Sequence, residues 1–384
     1  MVDRRPTVAH VITTLNDGGA EAVLYRLCLH SRSVRHVVVS MMGPGKYGPL
    51  LEAAGVVVHC LNMPPGKATW GGVVGLWRVL RRERPFAVQT WMYHADLFGG
   101  VLARLSGVRR VFWGIHNSNL SPDVVSRSTI LVARLCALLS RAVPTRVVSC
   151  SQQASRVHVA LGYGARGLVN IPNGYDLARY ARDEAGRVRL RGEWGVAPHE
   201  FLAGMVARFD PQKDHANLLG ALGQLKRRGL SFKCVLVGTG MDEGNAALMA
   251  LVARDHLGSD VLLMGRRDDV PAVMSALDVH VLSSLGEAFP NVLAEAMACG
   301  TPCVTTDVGD AALIVGDTGW VVPPQNAAAL AEGLDVAHSD WARGAESWGG
   351  RQAAARERIT GNFDLDRMTS AYEGTWLSTP DRTS

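Results

Sequence analysis

Residues Ser284–Gly300 read SLGEAFPNVLAEAMACG, with seven residues between the acids Glu287 and Glu295. The segment Val279–Leu282 just before it predicts a strand, and the pattern after it predicts a short helix over roughly Asn291–Ala298. A strand that ends in a loop and opens a helix offers an anion site, because the first helical N–H groups are unpaired and the dipole favours negative charge. Carboxylates accept hydrogen bonds from hydroxyls and repel bare phosphate. Together these groups suit a ligand that carries both phosphate and several hydroxyls, which is the chemistry of a nucleotide sugar. Phe289, Val292 and Leu293 are of the buried type, so both acids are expected beside a core rather than on a solvated helix face.

The chain has 384 residues, which fits two domains of about 200 residues each better than one core. Hydrophobic residues make up 47% and charged residues 20%, which excludes a disordered chain. No apolar run approaches the roughly 20 residues of a membrane span; the best candidate, Ile130–Leu139, is short and holds Arg134. The N-terminal MVDRRPTVAHVIT lacks the apolar core and cleavage site of a signal peptide and reads as a first buried strand. The seven cysteines are scattered, mostly inside apolar runs, with no Cys-x-x-Cys spacing. They read as reduced, buried thiols of a cytoplasmic protein.

The net charge of +5 hides an asymmetry. Residues 1–170 carry 20 Lys+Arg against 7 Asp+Glu, or +13, and residues 171–384 carry 20 against 28, or −8. A basic first half suggests an anionic partner: an anionic membrane surface or a lipid pyrophosphate. Arg78, Arg81, Arg82 and Arg84 cluster near one predicted helix end, and Arg104, Arg109 and Arg110 near another. A solvated face with cations at helix C-termini is the alternative. No aromatic-basic stacking pattern accompanies the charge, so nucleic acid is not expected as a partner.

Short β-branched runs alternate with amphipathic stretches along the whole chain, which implies βαβ units and parallel sheets. The expected strands of the first half are Val8–Thr13, His36–Ser40, Val56–Cys60, Ala87–Thr90, Val111–Ile115, Arg146–Cys150 and Leu168–Ile171. The expected helices there are Ala20–His30, Gly72–Arg82, His94–Leu105, Ser126–Ser140 and Ser151–Leu161. After the turn IPNGYD (Ile171–Asp176) the pattern restarts with strands near Phe201–Val206, Phe232–Val237, Val261–Met264, Val279–Leu282, Cys303–Thr306 and Trp320–Val322. Two doubly wound sheets in tandem place ligands at the carboxyl ends of their strands.

Arg208 and Lys213 follow the strand Phe201–Val206, where two cations can hold the charge of a diphosphate leaving group without a metal. Asp214 is a reasonable N-cap for the next helix. Gly18 and Gly19 stand between the first strand and first helix, where a backbone without side chains can approach a phosphate or sugar closely. Glu21 then falls in the first helical turn and serves the helix dipole. The glycines of VGTGMDEG (Gly238, Gly240, Gly244) are spaced one residue too widely for the dinucleotide fingerprint.

Four stretches in order resemble the retaining glycosyltransferases of family four, which have the GT-B fold. They are LNDGGAE (Leu15–Glu21), IPNGYD, GMVARFDPQKDH (Gly204–His215) and the Glu-x7-Glu segment itself. Together they span positions 15 to 300. The resemblance implies two Rossmann-like domains facing a central cleft: an acceptor-side domain over 1–172 and a donor-binding domain over 173–362. A last helix within 363–384 would cross back to the first domain. It also implies that Arg208 and Lys213 bind the donor phosphates, Glu295 the ribose hydroxyls and Glu287 the hydroxyls of the donor sugar. Phe289, Pro290 and Asn291 would present backbone amides near sugar and phosphate. His116, in WGIHNSN, would face the donor sugar, with His94 as its rival. Lys213 is followed by Asp214–His215 where the family more often has glycine.

The expected activity is transfer of a sugar from a nucleoside-diphosphate sugar, UDP-linked by preference, to an acceptor hydroxyl with retention of configuration. No metal or other cofactor is expected. The basic first half suggests a lipid-linked glycan of the cell envelope as acceptor, and a cytoplasmic chain peripheral to the inner membrane face. A soluble natural product is the alternative acceptor. A nucleotide-sugar epimerase or hydrolase, or a non-catalytic nucleotide-sugar-binding protein, are the alternative functions.

Overall fold

The computed structural model describes residues 4–120 and 125–378. The chain divides into two units, Met1–Gly174 with Leu365–Ser384, and Tyr175–Asp364. The divisions fall two residues after those expected from the sequence at each crossing, inside IPNGYD and ahead of the last helix.

The first unit holds a seven-stranded parallel sheet: β1 (Thr7–Ile12), β2 (Arg35–Ser40), β3 (Val57–Cys60), β4 (Ala87–Trp91), β5 (Val111–Ile115), β6 (Arg146–Ser149) and β7 (Leu168–Asn170). Their order is β3-β2-β1-β4-β5-β6-β7. The central strands are buried on both faces because helices cover the sheet, and His10 of β1 and Gln89 and Thr90 of β4 are polar residues inside it. The helices Gly19–His30 and Leu365–Leu377 pack on one another over β1. Trp376 and Tyr372 of the last helix are buried, and the Trp376 indole N–H donates to Gln89 Oε1 at 3.1 Å. Ser31 and Ser33 donate to the Glu373 carboxylate at 2.6 and 2.7 Å. The last helix therefore belongs to the first unit, as the family resemblance implied.

The stretch expected as one helix over His94–Leu105 is instead three pieces. A short turn at Tyr93–Ala95 leads through a π-helical turn at Asp96–Gly100 to Val101–Leu105. Gly99 and Gly100 allow this: a Cβ on Gly99 would press on Val11, and one on Gly100 would overlap the Trp113 indole. The wide turn brings the backbone onto the sheet and buries Asp96, whose Oδ1 accepts from Thr90 Oγ1 at 2.5 Å and from Gly114 N–H at 3.2 Å. Burial pushes the Asp96 carboxyl well above its ordinary range.

The second unit holds a six-stranded parallel sheet: β8 (Leu202–Val206), β9 (Lys233–Val237), β10 (Val261–Leu263), β11 (Val279–Leu282), β12 (Cys303–Thr306) and β13 (Trp320–Val322). Their order is β10-β9-β8-β11-β12-β13. Its core joins the inward faces of β8, β9 and β11 to the helices His215–Arg227 and Ala327–Ala342. The strand order reverses direction between β8 and β11, as it does between β1 and β4 in the first unit. Doubly wound sheets bind ligands outside the strand ends at such a reversal. Among the described residues, no helix is long and apolar enough to cross a membrane.

Candidate active site

Arg208 and Lys213 stand in the loop that leaves β8. Asp210 shapes it: its Oδ1 accepts from Gln212 N–H at 2.9 Å, capping the 3-10 turn Pro211–Lys213, and its Oδ2 lies 3.0 Å from Arg208 Nε. These donors hold the Asp210 carboxyl below its ordinary range against the opposing effect of burial. Asp214 adopts φ +48 and caps the helix His215–Arg227 by accepting from Asn217 N–H at 3.2 Å. The Arg208 side chain is 61% exposed, whereas that of Lys213 is 19% exposed.

Glu287 stands in the loop that leaves β11, the strand next to β8. Lys213 Nζ donates to Glu287 Oε1 at 2.5 Å, and Ser284 Oγ donates to the same oxygen at 2.8 Å. The two loops are also joined by backbone. Ser283 Oγ shares its proton between the carbonyls of Lys213 and Asp214 at 2.9 and 3.0 Å, and Leu285 N–H donates to Gln212 O at 2.8 Å. A third loop closes on the other side. Gly309, at φ +56, lies so close to the carbonyls of Glu287 and Ala288 that a Cβ would run into both. Lys213 and Glu287 thus meet at the strand reversal of the second sheet, with Arg208 held by Asp210 in the same loop as Lys213.

The glycines of VGTGMDEG serve the same place. Gly238, at φ +145, backs onto the Ala207 carbonyl, where a Cβ would overlap it. Phe209 N–H donates to Thr239 O at 2.8 Å. The loop after β9 thereby presses against the Arg208 loop, a role the spacing of the glycines could not show.

Glu295 lies half-buried in the helix Asn291–Ala298, one turn before Cys299. At the start of that helix, Asn291 Oδ1 accepts from Tyr175 OH at 2.5 Å. Tyr175 is fully buried and ties the IPNGYD turn to the helix that carries Glu295. Phe289 and Pro290 are buried, with the Phe289 ring edge-on to Phe363 at 5.6 Å. Pro290 has no N–H, so of the three residues expected to present amides only Phe289 and Asn291 carry one.

In the first unit, Gly18 is the N-cap position of the helix Gly19–His30, in the loop leaving β1. Its bareness is filled from within: a Cβ there would overlap the Glu21 carboxylate. Glu21 folds back over the loop, where Thr14 Oγ1 donates to its Oε1 at 3.0 Å and burial raises its carboxyl. His94 follows β4, on the same strand reversal as Gly18, and burial lowers its imidazole. His116 follows β5, one strand farther. Its ring stacks on Trp91 at 5.0 Å, its Nε2 is buried without a hydrogen-bond partner among the described residues, and burial pulls it down to about 4. It is therefore a neutral imidazole near pH 7.

Sequence reading missed Ser284, Asp210 and Gly309. Ser284 carried a signal, standing three residues before Glu287. It also missed one cluster: His10, Cys28 and His36 meet in the core of the first unit, with one ligand atom from each within 4.8 Å of the others. Trp91 Nε1–H donates to His10 Nδ1 at 3.3 Å, which leaves the proton on His10 Nε2, facing His36 Nδ1 at 2.9 Å. Both nitrogens of His10 are so engaged, and burial pushes the Cys28 thiol far up. The trio fits a hydrogen-bonded core better than a metal centre.

Residues 200–340 match the family model Glycosyl transferases group 1, and residues 17–179 match Glycosyltransferase Family 4. EpsF of Bacillus subtilis, described as a glycosyltransferase, is 30% identical over 307 residues, 78% of this chain and 79% of that protein. The UDP-Gal:alpha-D-GlcNAc-diphosphoundecaprenol alpha-1,3-galactosyltransferase of Escherichia coli is 27% identical over 62% of this chain and 61% of its own length. The fold matches that of HepE from Anabaena in complex with UDP at a TM-score of 0.84 and 24% identity, covering 97% of this chain and all of that one. The sucrose-phosphate synthase of Thermosynechococcus elongatus matches at a TM-score of 0.80 and 21% identity over 97% of this chain and 98% of that one. With two parallel sheets of this order, and with both halves matched, the chain belongs to the family-four glycosyltransferases of GT-B fold.

Proposed function

We propose that the chain is a retaining glycosyltransferase that takes its sugar from a UDP-sugar and needs no metal. The observation that carries this reading is the contact of Lys213 with Glu287 at the strand reversal of the second sheet, with Arg208 in the same loop as Lys213. Two cations there can hold the diphosphate as charge develops on it, a fork from Arg208 and a point charge from Lys213. Glu287 and Glu295 can accept hydrogen bonds from sugar and ribose hydroxyls. In a same-face displacement the C1–O bond to phosphate breaks as the acceptor oxygen bonds C1. The leaving phosphate oxygen takes the acceptor proton, so no protein nucleophile is required. Uridine is preferred because the Escherichia coli relative is named for UDP-Gal and HepE was crystallised with UDP. A relative from Mycolicibacterium smegmatis is named for GDP-mannose, which makes a GDP-sugar the second reading.

The acceptor we propose is a lipid-linked glycan of the cell envelope, reached by a chain peripheral to an anionic membrane surface. The +13 charge of residues 1–170 supports it. Melting the protein against UDP-, GDP- and ADP-sugars tests the donor. A UDP-sugar at a hundred times its dissociation constant should add about 2.7 kcal/mol of stability, and Arg208→Ala should remove most of that gain. No shift with any nucleotide sugar would refute the reading.

A further inference from the structure

The helix Arg127–Leu139 buries Ala133, Cys136 and Ala137 and turns three leucines outward. Leu131 is 59% exposed, Leu135 39% and Leu138 78%, at the i, i+4, i+7 spacing of one helix face. Arg127, Arg134 and Arg141, seven residues apart, are exposed along the same stretch. No aspartate or glutamate occurs from Val125 to Arg146, and residues 97–175 hold nine arginines, no lysine and a single acid, Asp123.

Neighbouring helices continue the pattern. Arg127–Leu139 packs on the Tyr93–Gly100 turns and on Gln152–Leu161, and Trp70–Glu83 packs on Val101–Leu105. Leu105 is 79% exposed, and beside it Arg104 reaches the Val143 carbonyl just past the leucine helix. On Trp70–Glu83, Trp77 is 44% exposed with the Arg81 guanidinium 5.2 Å over its ring. Contiguous exposed leucines are uncommon on a monomer surface and mark an interaction face.

We infer that Arg127–Leu139 is a membrane-docking helix that lies in the headgroup layer of an anionic bilayer with Leu131, Leu135 and Leu138 inserted. An apolar stripe set among arginines, with no acids, matches that environment from both sides: acyl chains for the leucines, lipid phosphates for the guanidinium groups. A second copy of this chain fits poorly, because a two-fold contact would set arginines against arginines. The Arg78–Arg84 cluster is a weaker candidate, since Glu83 lies within 3.6 Å of Arg82. The inference rests on the reading of a membrane-borne acceptor. It says which residues touch the lipid.

The test is sedimentation of the full chain with vesicles of phosphatidylglycerol and phosphatidylcholine, and with phosphatidylcholine alone, at low and high salt. The wild type should bind only the anionic vesicles, and less as salt rises. Leu131→Ser/Leu135→Ser/Leu138→Ser, at exposed positions, should lower binding about tenfold or more. Arg127→Gln/Arg134→Gln/Arg141→Gln should do the same and remove most of the salt dependence. Replacing Arg78, Arg81, Arg82 and Arg84 by glutamine should have the smaller effect. UDP titration on each variant reports that the fold is kept, and its failure in the wild type would count against the donor reading alone. A leucine variant that binds anionic vesicles like the wild type overturns the inference. So does a wild type that ignores them at low salt, or a wild-type dimer that the leucine changes dissolve.

Discussion

Lys213 and Glu287, 74 residues apart in sequence, hold each other at 2.5 Å across the ends of two neighbouring strands. The same lysine is the one proposed to meet the donor phosphates, so phosphate and carboxylate compete for it. Glu287→Gln should therefore bind free UDP more tightly, by about threefold to tenfold, because the lysine no longer has a charged partner. The same change should slow sugar transfer, since a sugar hydroxyl loses its charged acceptor. Calorimetric titration with UDP measures the first effect. Equal or weaker UDP binding would show that the ion pair does not oppose the phosphate.

Arg208→Ala and Lys213→Ala should each weaken UDP binding and transfer by about tenfold to a hundredfold, the loss of one charge-assisted hydrogen bond. Arg208→Lys should recover only part of this, because a point charge cannot replace the fork. Near-normal kinetics in both alanine variants would remove the loop after β8 from the phosphate site.

Much of this was legible beforehand, for physical reasons. Strands of a parallel sheet are buried on both faces, so runs such as His36–Ser40 and Val279–Leu282 stand out as short segments rich in valine and leucine. The structure ends β11, β12 and β13 where the sequence ends those runs. Arg208, Lys213 and Glu287 could be picked out singly, but not the contact between Lys213 and Glu287, because pairing between β8 and β11 is long-range. Gly238 was legible as part of a glycine-rich stretch and not as the backing of Ala207, for the same reason. The break in the helix after β4 was hidden because a π turn costs one extra residue and has no side-chain pattern of its own. It depends on Gly99 and Gly100 meeting Val11 and Trp113.

Acid should destabilise the fold between about pH 6.5 and pH 4. Burial lowers His36, His158 and His215 to about 4 and His280 to about 3. In that window the unfolded chain binds protons that the folded chain does not, so stability is complete above the unfolded value and is lost as pH falls toward the folded one. Each such histidine can contribute up to about 1.4 kcal/mol per pH unit. Asp96, raised by burial, acts in the opposite sense and tempers the loss. Denaturant midpoints measured from about pH 7 down to about pH 4.5 should fall steadily; a flat profile would mean these imidazoles are protonated in the native state.

Trp376→Ala should cost about 3–5 kcal/mol, the loss of a large buried side chain. Trp376 is fully buried between β1, β2 and β4, edge-on to His10 at 5.5 Å and bonded to Gln89. Trp376→Phe should cost less, because it keeps aromatic volume and loses only the indole N–H. Urea unfolding followed by circular dichroism reads both. A loss under about 1 kcal/mol for the alanine variant would mean that the last helix is not part of the first unit's core.

The central claim is a retaining transfer from a UDP-sugar without metal, and the anomeric configuration of the product tests it most directly. The protein, an α-linked UDP-sugar and a lipid-linked glycan acceptor, kept in excess EDTA, would be followed by proton NMR. The account predicts UDP release matched by a new α-anomeric signal. A β-anomeric product, or transfer that appears only when a divalent metal is restored, would contradict it.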